Sequence, residues 1–81
     1  MARFHITILS ADEPFYEGEC ASVTVPTTEG SIGVLANHMN MIAAMEPGIV
    51  TFRKEENGPE TAVVVATGVI KIENNDVLIL T

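Results

Sequence analysis

Apolar and polar positions alternate along most of this chain with a period of two, the spacing of strands and not of helices. In Phe4-His5-Ile6-Thr7-Ile8-Leu9-Ser10, the residues Phe4, Ile6 and Ile8 share one face, as in a half-buried strand. Ala11-Asp12-Glu13-Pro14 reads as a turn. Phe15-Tyr16-Glu17-Gly18-Glu19 then leads into Ala21-Ser22-Val23-Thr24-Val25, again period two, and Pro26 ends it. Thr27-Thr28-Glu29-Gly30 predicts a tight turn, residues 31–35 the next strand, and Ala36-Asn37-His38 a polar break. Met39-Asn40-Met41-Ile42-Ala43-Ala44-Met45 is rich in helix formers, yet Pro47-Gly48 would cut a helix off after about two turns, so the stretch reads as extended.

Gly48-Ile49-Val50-Thr51-Phe52-Arg53 predicts a further strand and residues 55–60 a charged turn. Thr61-Ala62-Val63-Val64-Val65-Ala66 is continuously apolar, the pattern of a strand buried on both faces. Gly68 permits a bend before Val69-Ile70-Lys71-Ile72; Glu73-Asn74-Asn75-Asp76 forms a hairpin turn and Val77-Leu78-Ile79-Leu80 closes the chain. Eight or nine short strands with turn signals every eight to twelve residues predict one all-β domain over residues 1–81, a sandwich or flattened barrel.

Composition narrows the function classes. Four Lys plus Arg against eleven Asp plus Glu give a net charge of −7, which repels nucleic acid and anionic lipid. Only Phe4, Phe15, Phe52 and Tyr16 could stack on bases, so nucleic-acid binding is set aside. A lone cysteine, Cys20, allows no internal disulfide and points to a reducing compartment. The opening residues lack the apolar run of a signal peptide, and the longest apolar stretches are far too short to span a bilayer as a helix. Any meeting with a membrane is expected to go through a protein partner.

Candidate chemistry is thin. His5 and His38 lack the ligand spacings of a zinc site, so solvated or hydrogen-bonded histidines are the simpler reading. Cys20 as a nucleophile would need an activating base; a quiet, half-buried cysteine at a strand start is favoured. Asp12, Glu13, Glu17 and Glu19, and separately Glu55, Glu56 and Glu60, show no calcium-loop order and read as solvated turns. The scattered glycines build no phosphate-cradling loop. Met39, Met41 and Met45 form a stripe suited to a core or to an adaptable docking surface, the core being favoured. These residues predict no cofactor, no metal and no small-molecule substrate; interaction is the function class left.

The central segment carries more. Thr27-Thr28-Glu29-Gly30-Ser31-Ile32-Gly33-Val34-Leu35-Ala36-Asn37-His38, followed by Glu46-Pro47-Gly48-Ile49-Val50, resembles the signature of the ATP synthase epsilon subunit family. The flanks agree: an opening strand ending in Ser10, Phe15-Tyr16-Glu17-Gly18 before a valine-rich strand, and Val65-Ala66-Thr67-Gly68-Val69-Ile70-Lys71-Ile72 with Val77-Leu78-Ile79-Leu80 as a closing hairpin. The likeness covers essentially the whole chain. It implies a ten-stranded, jelly-roll-like β-sandwich in the central stalk, between the gamma subunit and the loops of the membrane c-ring. The role implied is non-catalytic coupling on the cytoplasmic face of the bacterial inner membrane, or at its equivalent in an organelle. By matching positions, Glu29, Gly30 and Ser31 are the c-ring-facing residues and Ser10, His38 and Ala43 the gamma-facing ones.

Two departures matter. Ala36 and Asn40 stand where many relatives place prolines, which leaves the backbone around His38 less constrained. The helical hairpin that follows the sandwich in many relatives is not in this sequence, which reads either as a short natural subunit or as one domain of a longer chain, the short subunit being favoured. The inhibitory and ATP-binding roles tied to those helices are therefore not carried over. The rival reading is a lipoyl or biotinyl carrier, but Lys71 lies inside a predicted strand and Lys54 is followed by Glu55-Glu56, so neither suits a modified hairpin tip. A cupin-like metal protein would need more converging histidines than two.

Overall fold

The computed structural model describes residues 2–10 and 16–81. Nine strands are found among them: β1 (Phe4–Leu9), β2 (Tyr16–Cys20), β3 (Ser22–Thr27), β4 (Gly30–Leu35), β5 (Met41–Met45), β6 (Gly48–Arg53), β7 (Glu60–Val65), β8 (Gly68–Glu73) and β9 (Asp76–Leu80). The Ala11-Asp12-Glu13-Pro14 turn and Phe15 lie outside the described residues. The ambiguous segment before Pro47 is extended, as its short length demanded: β5 ends at Met45.

Hydrogen bonding follows one path, β2-β1-β9-β8-β5-β3-β6-β7, with β4 on the other side of β3. The path turns where it narrows to a single residue pair, Thr27 with Met45, between β3 and β5. Two layers result, β2-β1-β9-β8-β5 and β4-β3-β6-β7. They meet through their inner faces, where the Tyr16 and Phe52 rings stack across the gap with centroids 4.9 Å apart. All pairings are antiparallel except β1 with β9, which run parallel and join the first strand to the last.

Alternation decides which side chains fill the core. Phe4, Ile6 and Ile8 of β1, Val23 and Val25 of β3, Ile70 and Ile72 of β8, and Val77 and Ile79 of β9 point inward and are buried. Thr27 is the buried polar side chain among the described residues. Its hydroxyl donates to the Gly30 carbonyl and accepts from the Glu29 N–H at 3.2 Å, so burial leaves no unpaired group. Those bonds close the β3–β4 turn, and Gly30 completes it at φ 109°, a conformation that a side chain resists. The β8–β9 turn needs left-handed backbone at both central residues and has it, at Asn74 (φ 50°) and Asn75 (φ 64°).

Two expectations are corrected here. The 61–66 run is not buried on both faces: β7 is an edge strand, paired with β6 alone, and Val64 is 77% exposed. An apolar run satisfies an outer strand as well when its solvent side is left uncovered. The methionine stripe also divides. Met45 is buried, Met41 packs at the core margin, and Met39, beyond the start of β5, is 74% exposed.

Candidate docking surfaces

The outer face of the β2-β1-β9-β8-β5 layer is graded from one end to the other. Register aligns Ala44 with Val69, Val69 with Leu80 and Leu80 with Leu9, an unbroken apolar row across four strands. All four side chains are exposed. The next row is mixed: Ile42, which is 70% exposed, then Lys71, Leu78, Thr7 and Glu17. The third is polar and mostly acidic: Glu73, Asp76, His5 and Glu19. His5 Nε2 lies 2.9 Å from Glu17 Oε2 and its Nδ1 3.7 Å from Glu19 Oε2. The sandwich therefore carries an apolar end and an acidic end on one face.

The apolar end is also where the β3–β4 turn emerges. Glu29, Gly30 and Ser31 are exposed there, held from below by the Thr27 hydroxyl. Ser10 follows Leu9 at this same end and is half-buried. Ala43 belongs to the inner side of β5 and packs against the core, while its neighbours Ile42 and Ala44 face outward. His38 sits at the opposite end, in the β4–β5 loop, with Nδ1 2.8 Å from the Met39 carbonyl oxygen. That loop is tied to the β8–β9 turn: Asn75 Oδ1 accepts the Asn37 N–H at 2.7 Å and Asn40 Oδ1 accepts the Asn74 N–H at 3.0 Å. The three positions matched to gamma thus do not converge: Ser10 lies at the end of the apolar row, Ala43 faces the core behind it and His38 lies away from it.

Sequence reasoning singled out none of Leu9, Ile42, Val69 and Leu80. Their signal was available: each is a large apolar residue on the phase of its strand that alternation assigns to solvent.

The remaining candidates have structural explanations. Cys20 ends β2 instead of starting a strand and is fully buried, its thiol donating to the carbonyls of Ser22 and Arg53 at 3.0 and 3.2 Å. Desolvation pushes that thiol above its ordinary pKa, away from nucleophilic use. Glu17 and Glu19 lie in β2, not in a turn, and reach toward His5. Among the described residues no three His, Cys, Asp or Glu side chains are grouped to hold a metal. Lys71 is mid-strand in β8, and Lys54 Nζ stands 5.2 Å from the centre of the Tyr16 ring. An open depression of about 390 Å³ lies between Ala2, Ala21, Ser22, Leu35, Arg53 and Glu56.

Fold and surfaces together define a small two-layered β-sandwich whose outer face runs from an apolar to an acidic end. The family model for the beta-sandwich domain of the ATP synthase delta/epsilon chain matches residues 3–81, and the chain belongs to that family. It is similar to the ATP synthase epsilon chain of Sulfurimonas denitrificans, 35% identical over 80 residues, covering 99% of this chain and 61% of that one. It also resembles the Aquifex aeolicus epsilon chain, 37% identical over 75 residues, covering 93% of this chain and 54% of that one. In the cryo-EM structure of the Euglena gracilis mitochondrial ATP synthase, OSCP/F1/c-ring in rotational state 1, one chain matches all of this chain over 51% of its own length, with a TM-score of 0.88 and 30% identity. A chain in the Tetrahymena thermophila mitochondrial ATP synthase central stalk/c-ring structure shares the fold, with a TM-score of 0.76 at 16% identity over 94% of this chain and 60% of its own. The chain thus spans between about half and three fifths of the length of these relatives.

Proposed function

We propose that this chain is the sandwich of a non-catalytic central-stalk subunit, coupling c-ring rotation to the catalytic head by binding gamma and the c-ring loops. The observation that carries the reading is the outward apolar row of Leu9, Leu80, Val69 and Ala44, with the gamma-matched Ser10 at its end. Exposed side chains aligned across four strands are what a protein face needs and what solvent disfavours. If gamma covers what remains exposed, at roughly 1 kcal/mol for each half-exposed side chain, the row contributes on the order of 4 kcal/mol, about a thousandfold in affinity. The Glu29-Gly30-Ser31 turn projects beside the row and is suited to the polar c-ring loops. In this reading the chain holds no cofactor and no substrate, and reaches the cytoplasmic face of the bacterial inner membrane only through its complex.

Co-purification with the gamma subunit of the same source tests this. The unaltered chain should bind, Leu80→Asp should weaken binding at least about tenfold, and His38→Glu should have a smaller effect because His38 lies away from the row. Folded chain that fails to bind gamma at any concentration overturns the reading.

A further inference from the structure

We propose that the outer edge of β7 is a self-recognition edge, through which two copies of this chain pair as antiparallel strands about a two-fold axis. The inference is independent of gamma binding, which uses the other layer.

The strand path ends at β7, which pairs with β6 through six consecutive residues without a bulge. Among the described residues, no backbone group elsewhere bonds to its outer side. A free row of N–H and C=O groups is a template for another strand, and proteins blunt such edges with charge, proline, glycine or a bulge. The other edges carry these devices: Glu17, Gly18 and Glu19 in β2, and Gly30 and Gly33 in β4. In β7 the single charge is Glu60 at the start, and 61–66 contains no charge, glycine or proline.

The strand also complements itself. Pleating requires paired residues to face the same side, so a two-fold antiparallel pair must be centred on one residue. Centring on Val63 opposes Ala62 to Val64 and Thr61 to Val65, and sets Glu60 beside Ala66, a residue just past the strand whose N–H and carbonyl are already bonded to the Thr81 hydroxyl. The two Glu60 carboxylates then stand at opposite ends of the ribbon, about 20 Å apart at ~3.4 Å per residue. Outward-facing Ile49 and Val64, partners across β6 and β7, would join their counterparts in one apolar strip. Each copy brings a charge of −7, so the pair is weak and strengthens as salt screens that repulsion.

Sedimentation velocity over a micromolar-to-millimolar series, at low and high salt, reads this directly. The mass should rise from 8.7 kDa toward twice that value, and at lower concentration in high salt. Val64→Lys, a change at an exposed position, should remain monomeric throughout with an unaltered circular dichroism spectrum. Val63→Cys should oxidise to a disulfide-linked dimer, whereas Leu35→Cys on β4 should not; Ala62→Cys mixed with Val64→Cys gives the same link if Val63→Cys fails to fold. A chain that stays monomeric under all conditions overturns the proposal and leaves the edge to a strand of a different polypeptide. A dimer equally strong in Val64→Lys also overturns it, by placing association on another surface.

Discussion

The carbonyl oxygen of Leu80 occupies the space in which a β-carbon on Gly68 would sit. Gly68 starts β8 beside the end of β9, and two backbones approach there as only glycine allows. The obstacle is main chain and cannot rotate away. Gly68→Ala should therefore lower stability by about 2–3 kcal/mol, although alanine is the better residue for an ordinary backbone position. Urea unfolding measures this, and a variant within 0.5 kcal/mol of the parent would show that the strands part at little cost.

At the opposite end, the β8–β9 turn sets two expectations against each other. Glycine at the second left-handed position of a two-residue hairpin is normally as good as asparagine or better. Asn75, however, accepts the Asn37 N–H at 2.7 Å and donates through Nδ2 to the Arg3 carbonyl at 2.9 Å, tying three chain segments together. Two lost hydrogen bonds at about 1 kcal/mol each outweigh the gain in turn geometry, so Asn75→Gly should destabilise by roughly 1–2 kcal/mol. Asn74→Gly should be nearly neutral, since Asn74 enters the network through its backbone. Equal effects at the two positions would refute the network.

The methionines offer a paired comparison. Met45→Ala opens a cavity beside the corner where β5 meets β3 and should cost about 2–4 kcal/mol. Met39→Ala, at a 74% exposed position, should change stability by less than about 0.5 kcal/mol. Thermal melts of both variants settle which part of the stripe is core.

Cys20 gives the molecule an alkaline dependence. Its folded pKa is raised by burial above the unfolded value, so its contribution is complete below the unfolded pKa and is lost as pH rises toward the folded one. Stability should begin to fall near pH ~8.5, where the unfolded thiol starts to ionise. Cys20→Ala should be less stable at neutral pH but show a shallower alkaline slope. Identical slopes for the two proteins would remove the thiol from the account. Iodoacetamide should modify Cys20 only after unfolding.

Much of this fold was legible because alternation and turn chemistry agree locally. Phe4, Ile6 and Ile8 lie inward as read, Glu73-Asn74-Asn75-Asp76 makes the hairpin, and Thr27-Thr28-Glu29-Gly30 the tight turn. What local pattern cannot carry is strand order. Nothing within Thr61-Ala62-Val63-Val64-Val65-Ala66 distinguishes a central strand from the edge strand it becomes, because that depends on neighbours distant in sequence. The apolar row was equally hidden: Leu9, Val69 and Leu80 align only once β1, β9 and β8 are adjacent in register. Resemblance matched Ser10, His38 and Ala43 to gamma, but a matched position does not say which way its side chain points; Ala43 packs inward.

Strand β3 has one more consequence. Along one side it pairs fully with β4; along the other it bonds first to β6 and then, at Thr27, to β5. One stretch of backbone thus belongs to both layers, and the Thr28 N–H to Ala44 and Glu46 N–H to Pro26 bonds reinforce the junction at 3.1 and 3.2 Å. Two layers held only by side-chain packing could slide past one another under a lateral load. Here a push on the turn at Glu29 enters β3 and passes through hydrogen bonds into both layers at once, so the sandwich resists shear as a single stiff body.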